Sequence, residues 1–96
     1  MSPACPKFGF HVLATFTGGA GARERAAFER AWAEFLDRRG LVSEGAGTGA
    51  RLARTVFGDG TQATDADRAA VRDWLGSRPE VAEAVVGDLA DFGEER

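Results

Sequence analysis

A chain of 96 residues with one cysteine, one histidine and no tyrosine has few groups with which to do covalent chemistry. The lone thiol, Cys5, excludes an internal disulfide and fits a reducing compartment. The lone imidazole, His11, has no acidic neighbour in sequence, and Cys5 stands apart in an N-terminal arm. Neither a Ser/His/Asp nor a Cys/His set can be assembled, so an enzyme is not expected. Long hydrophobic runs are missing too. No stretch approaches the roughly 18 apolar residues of a membrane span, and MSPACPKFGF lacks the basic-then-apolar order of a signal peptide. Nor is there a surplus of positive charge: 12 Lys and Arg against 15 Asp and Glu leave a net charge of −3 and a pI near 5.1. That balance argues against nonspecific binding to nucleic acid or membranes. The plain reading is a cytoplasmic protein.

Two patterns that invite a ligand also fall short. Thr17–Gly21, TGGAG, joins a strand to a helix, but a phosphate loop needs Gly-Lys-Ser/Thr after four residues, and Arg23-Glu24 offers nothing of the kind. The dinucleotide pattern would place a third glycine where Glu24 stands. Asp59, Asp65 and Asp67 suggest calcium, yet an EF-hand loop begun at Asp59 has Thr61 and Ala63 at its next ligand positions and Thr64 at its obligatory glycine. No metal and no cofactor is expected.

What the sequence does hold is seven phenylalanines and two tryptophans in periodic places. Phe8, Phe10, Val12, Ala14 and Phe16 share one parity of a strand, with Gly9, His11, Leu13 and Thr15 on the other. The spacing of Phe28, Ala31, Trp32, Phe35 and Leu36 predicts a helix over Ala22–Arg39, ended by Gly40. Leu41–Gly47 reads as a weak strand, Gly45, Gly47 and Gly49 as a loose hairpin turn, and Leu52–Phe57 as the returning strand. Its parity is ambiguous, and placing Ala53, Thr55 and Phe57 inward keeps Arg54 out of the core. Thr64 is a good N-cap, with Asp67 completing a shortened capping box. Ala66, Ala70, Val71, Trp74 and Leu75 then mark a second apolar stripe, which Gly76, taking the left-handed cap conformation, and Pro79 bring to an end. Val81–Asp88 is the last strand.

Strand, helix, strand, strand, helix, strand is the order of a ferredoxin-like β-α-β-β-α-β sandwich, an α+β fold. A four-stranded antiparallel sheet of order 4-1-3-2 would carry both helices on one face. Residues 1–7 read as a disordered arm, 8–92 as one domain and 93–96 as a frayed acidic tail. The uncovered face would display His11, Leu13, Leu52, Arg54 and Val56, a mixed patch suited to partner contact. Such a face also suits a homodimer. An RNA-recognition fold shares this architecture, but its stacking aromatics belong on the open face, whereas the phenylalanines here are needed in the core.

Phe8-Gly-Phe with its alternating strand, the Phe28/Trp32/Phe35 helix and Gly40-Leu41 form one half of a larger pattern. Thr64-x-x-Asp67-Arg68, Trp74-Leu75, Arg78-Pro79-Glu80-Val81 and Val86-Gly87-Asp88-Leu89 form the other. Together they resemble the YggL family of bacterial proteins that bind the 50S ribosomal subunit, from about Phe8 to Asp91. The resemblance implies a non-enzymatic cytoplasmic protein whose partner is the large ribosomal subunit, through rRNA, ribosomal protein or both, with no DNA and no membrane involved. Where the typical member carries a strongly basic arm, this chain has MSPACPK, so binding would rest on the folded domain rather than on counterion release from RNA.

Overall fold

The computed structural model describes residues 7–46 and 51–92. Of the expected arm, residues 1–7, only Lys7 lies within them, its N–H donating to Asp91; the turn at Gly47 and Gly49 and the tail from residue 93 lie outside. Alternating hydrophobicity produces β1 (Phe8–Phe16), and the Phe28/Trp32/Leu36 stripe produces α1 (Ala22–Arg38). Gly21 N–H donates to the Glu24 carboxylate at 3.0 Å, so the first turn of α1 closes on an acid placed at the positive end of the helix. Gly40 turns the chain with φ +71°, a left-handed value that suits glycine, and β2 (Leu41–Ala46) and β3 (Arg51–Gly58) follow.

The second helix, α2 (Asp65–Gly76), begins as the sequence predicts. Thr64 Oγ1 accepts from Asp67 N–H at 3.2 Å, and Asp67 Oδ2 accepts from Thr64 N–H at 2.9 Å. Its end differs. Gly76 is the last helical residue rather than a left-handed cap, and Ser77 closes the helix with φ −94° while its hydroxyl donates to Trp74 O. The chain continues into β4 (Val81–Val86).

All strands pair antiparallel in the order β2-β3-β1-β4, the predicted arrangement read from the other edge. A short further strand, β5 (Ala90–Asp91), pairs with Phe8 and Gly9 and extends the sheet along the β4 side of β1. The C-terminal stretch to Phe92 is thereby held in the domain, Phe92 N–H donating to Lys7 O at 2.8 Å.

Phe10, Val12, Ala14 and Phe16 are buried with Phe28, Trp32 and Leu36 of α1 and Val71 and Leu75 of α2, which places both helices on that face of the sheet. Trp74 lies within ring contact of Phe28, Trp32 and Phe35, so the tryptophans serve packing. Phe8 keeps the parity of this row but stands beyond the helices, partly exposed.

The parity expected for β3 is reversed. Leu52 and Val56 are 1% and 0% exposed, on the helix side. Arg54 lies on that side with them, paired with Glu29 of α1 at 2.6 Å. Register agrees, because Leu52, Arg54 and Val56 stand opposite Ala14, Val12 and Phe10. The physical reason is a balance of magnitudes. Burying Leu52 and Val56 is worth roughly 1.5–3 kcal/mol each, while the cost of an inward arginine is contained because a carboxylate reaches it from the helix above. Its in-register neighbour on β2 is Gly45, which adds no side chain beside the guanidinium stem.

Candidate partner-binding face

The helix-free side of the sheet is built by the other parity of every strand. Across β3, β1 and β4 the registers align Thr55 with His11, Ala53 with Leu13 and Val85, and Arg51 with Thr15 and Glu83. Leu13 and Val85 are 55% and 62% exposed, next to each other on adjacent strands. Exposed aliphatic side chains paired across a sheet centre form an apolar strip, and Val42 on β2 is exposed on the same face.

One end of this face is not bare. Phe92 packs edge-on to His11, with ring centroids 5.0 Å apart, and to Phe57 at 5.6 Å, while Lys7 Nζ sits 4.3 Å over the Phe57 ring. Phe57 points away from the helices yet is only 6% exposed, because this C-terminal aromatic covers it. His11 Nδ1 lies 3.0 Å from Thr55 Oγ1. The imidazole is thus engaged by a hydroxyl and a ring. Two open hollows flank the Leu13–Ala53 pair. One, of about 570 Å³, reaches toward His11, Thr55 and Glu44; the other, of about 340 Å³, toward Thr15, Arg51 and Glu83. Among the described residues no cluster of His, Cys, Asp or Glu could hold a metal ion, and no helix is long and apolar enough to cross a membrane.

Of the residues predicted for this face, the structure brings His11 and Leu13 together on it. It does not bring Leu52, Arg54 and Val56 there; they belong to the opposite side, and Ala53, Thr55 and Phe57 replace them. Val85 is the residue that the sequence reading missed. Alternation in Val81–Val86 was its available signal, since Ala84 and Val86 take the parity of the half-buried side.

Charged side chains behind the face hold its frame. Arg68 of α2 donates from Nε to Gly87 O at 2.6 Å and reaches Asp65 and Asp88, fixing the link from β4 to β5. Arg78 donates to Glu80 at 2.8 Å and lies over the Trp74 ring. Burial opposes the charge of Glu80, but hydrogen bonds from Arg78 and from its own backbone, with the positive charge of Arg78, outweigh it and hold the carboxyl below the ordinary carboxylate range. Arg68 with Gly87-Asp88, and Arg78-Pro79-Glu80, therefore share one role: they join α2 to the strand that follows it and to its flanks.

A family model for the YggL 50S ribosome-binding protein matches residues 6–93, nearly the whole chain. The chain belongs to that family. No curated protein and no solved structure gave a match. The family takes its description from 50S ribosome binding, which is not a class of enzyme.

Proposed function

We propose that this protein associates with the large ribosomal subunit of a bacterium, in the cytoplasm and without catalysis, using the bare part of its sheet. The helices and strands follow the ferredoxin-like β-α-β-β-α-β plan, which leaves one sheet face without helices. The observation that carries the reading is the Ala53–Leu13–Val85 row, apolar and uncovered in a chain of a ribosome-binding family. Polar residues border it: His11 and Thr55 toward one end, Arg51, Thr15 and Glu83 toward the other. A dry centre within a polar margin is the anatomy of a protein contact surface.

Cosedimentation with purified large subunits at low salt tests this. The wild-type chain should pellet with the subunits, and Leu13→Asp combined with Val85→Asp should stay in the supernatant while keeping the wild-type circular dichroism spectrum. Wild-type protein left in the supernatant with subunits in excess would remove the reading.

A further inference from the structure

On the opposite side of β2 from this face, the strand and the flank of α1 enclose a groove of about 470 Å³. Strand order leaves β2 at the end of the sheet, with β3 on one side and, among the described residues, no strand on the other. Gly40 O accepts from Asp59 N–H at 2.8 Å, so the alternation of an antiparallel ladder turns the N–H and C=O of Leu41 and Ser43 away from β3. An edge of this kind is a template for one more strand. Trp32, Ala33 and Leu36 line the helix side, and Trp32 Nε1 donates to Ser43 Oγ at 3.1 Å, tying the two walls together. The charged lining is Glu29, Asp37 and Glu44 against Arg54 alone, and Arg54 is already engaged by Glu29.

We propose that this groove receives an extended, lysine- or arginine-rich polypeptide segment that adds to the outer edge of β2. Main-chain hydrogen bonds to Leu41 and Ser43 supply pairing that tolerates many sequences. Alternate side chains of an added strand point to opposite faces, so its cations meet Asp37 and Glu29 on the helix side and Glu44 on the other. RNA is disfavoured here, because its phosphates would face three carboxylates and one guanidinium that is already paired. The inference rests on the ribosomal reading only for the source of the segment: of the subunit's two components, the groove selects protein.

The probe is a short end-blocked peptide of lysine pairs separated by single threonines, which puts lysines on both faces of an added strand, titrated into the isotope-labelled full chain and followed by amide NMR. Shifts should centre on Leu41, Ser43 and the Trp32 indole N–H, and affinity should fall about tenfold when salt is raised well above physiological strength. Ser43→Pro removes an outward N–H at an edge position that tolerates proline, and should weaken binding at least about tenfold. Ser43→Ala, which loses only the tie to Trp32, should bind as wild type does. Asp37→Lys with Glu44→Lys, both exposed, gives the same loss without touching the strand backbone. No shifts, shifts centred on Leu13 and Val85, equal binding of a glutamate–threonine peptide, binding of single-stranded RNA in the groove instead, or edge amides occluded by a second copy in the free protein would each overturn the proposal. Cosedimentation separates the two readings. Retention of Ser43→Pro on large subunits with undiminished affinity overturns the groove as a subunit contact and leaves the ribosomal reading standing. Peptide binding by a chain that never pellets with subunits removes the ribosomal reading alone.

Discussion

Arg39, the residue that closes α1, donates from Nε and Nη2 to a single oxygen of Asp67, at 3.1 and 2.9 Å. The other oxygen of Asp67 accepts from the backbone and hydroxyl of Thr64, at 2.9 and 3.1 Å. One carboxylate thus caps the second helix and anchors the end of the first. Asp67→Ala should remove the anchor and the carboxylate's half of the capping box, the backbone N–H at that position keeping Thr64 Oγ1. The cost is up to about 1 kcal/mol for the cap and roughly 1.5–3 kcal/mol for charged hydrogen bonds, the latter discounted because Arg39 is a third exposed. A loss of about 2–3 kcal/mol is expected in urea unfolding, and Arg39→Ala should cost about 1 kcal/mol or less. Equal losses for the two variants would show that the cap contributes nothing.

The reversed parity of β3 gives a sharp contrast between neighbours. Val56→Asp places a carboxylate among Phe10 and the helices and should abolish cooperative thermal unfolding, whereas Leu13→Asp should alter stability by less than about 1 kcal/mol. Arg54→Met should be neutral to mildly stabilising, because Arg54 Nη1 is buried with no hydrogen-bond partner among the described residues and well-packed apolar side chains commonly match buried ion pairs. Glu29→Ala, which strands the guanidinium, should destabilise by about 1–2 kcal/mol, the carboxylate being half exposed. Denaturant midpoints of the paired variants decide it.

Glu80 imposes an acid limit. Its folded-state carboxyl sits below the ordinary value of 4.5, so its contribution is complete above that pH and is lost as pH falls through the lower folded value. Unfolding free energy measured across the acidic range should decline more steeply for wild type than for Glu80→Gln. Identical slopes would assign the acid sensitivity to other carboxylates.

Phe92 should hold the end of the open face through His11 and Phe57. Phe92→Ala should cost about 1–2 kcal/mol, less than the 3–5 typical of a fully buried ring, and should raise hydrogen exchange at Gly9 and Ala90, where β5 pairs. Unchanged exchange there would mean that the backbone bonds alone keep β5 in place.

How far the fold could be read depended on whether a signal was local. Phe8–Phe16 alternates but for Leu13, and of its inward row only Phe8, at the strand's start, is left exposed, so β1 and its inward face follow from the residues themselves. The Thr64–Asp67 box is likewise a contact between residues three apart. Leu52–Phe57 alternates with apolar residues on both parities, and its only local tie-breaker, the cost of an inward arginine, pointed the wrong way. Glu29, which relieves that cost, lies 25 positions away on another element. The site inherited this error, since Leu52, Arg54 and Val56 entered it through the parity of one strand.

By itself, then, the order of residues settled the element types, the antiparallel sheet with its central β1, and the side of that strand that meets the helices, because periodicity and capping act within a few residues. Only the tertiary structure decided which side of β3 is buried, that β5 and Phe92 close one end of the open face, and that Trp32 of α1 reaches Ser43 to wall a groove beside β2. Each of these depends on a partner distant in sequence, a carboxylate or a ring, whose energy exists only once the chain has folded.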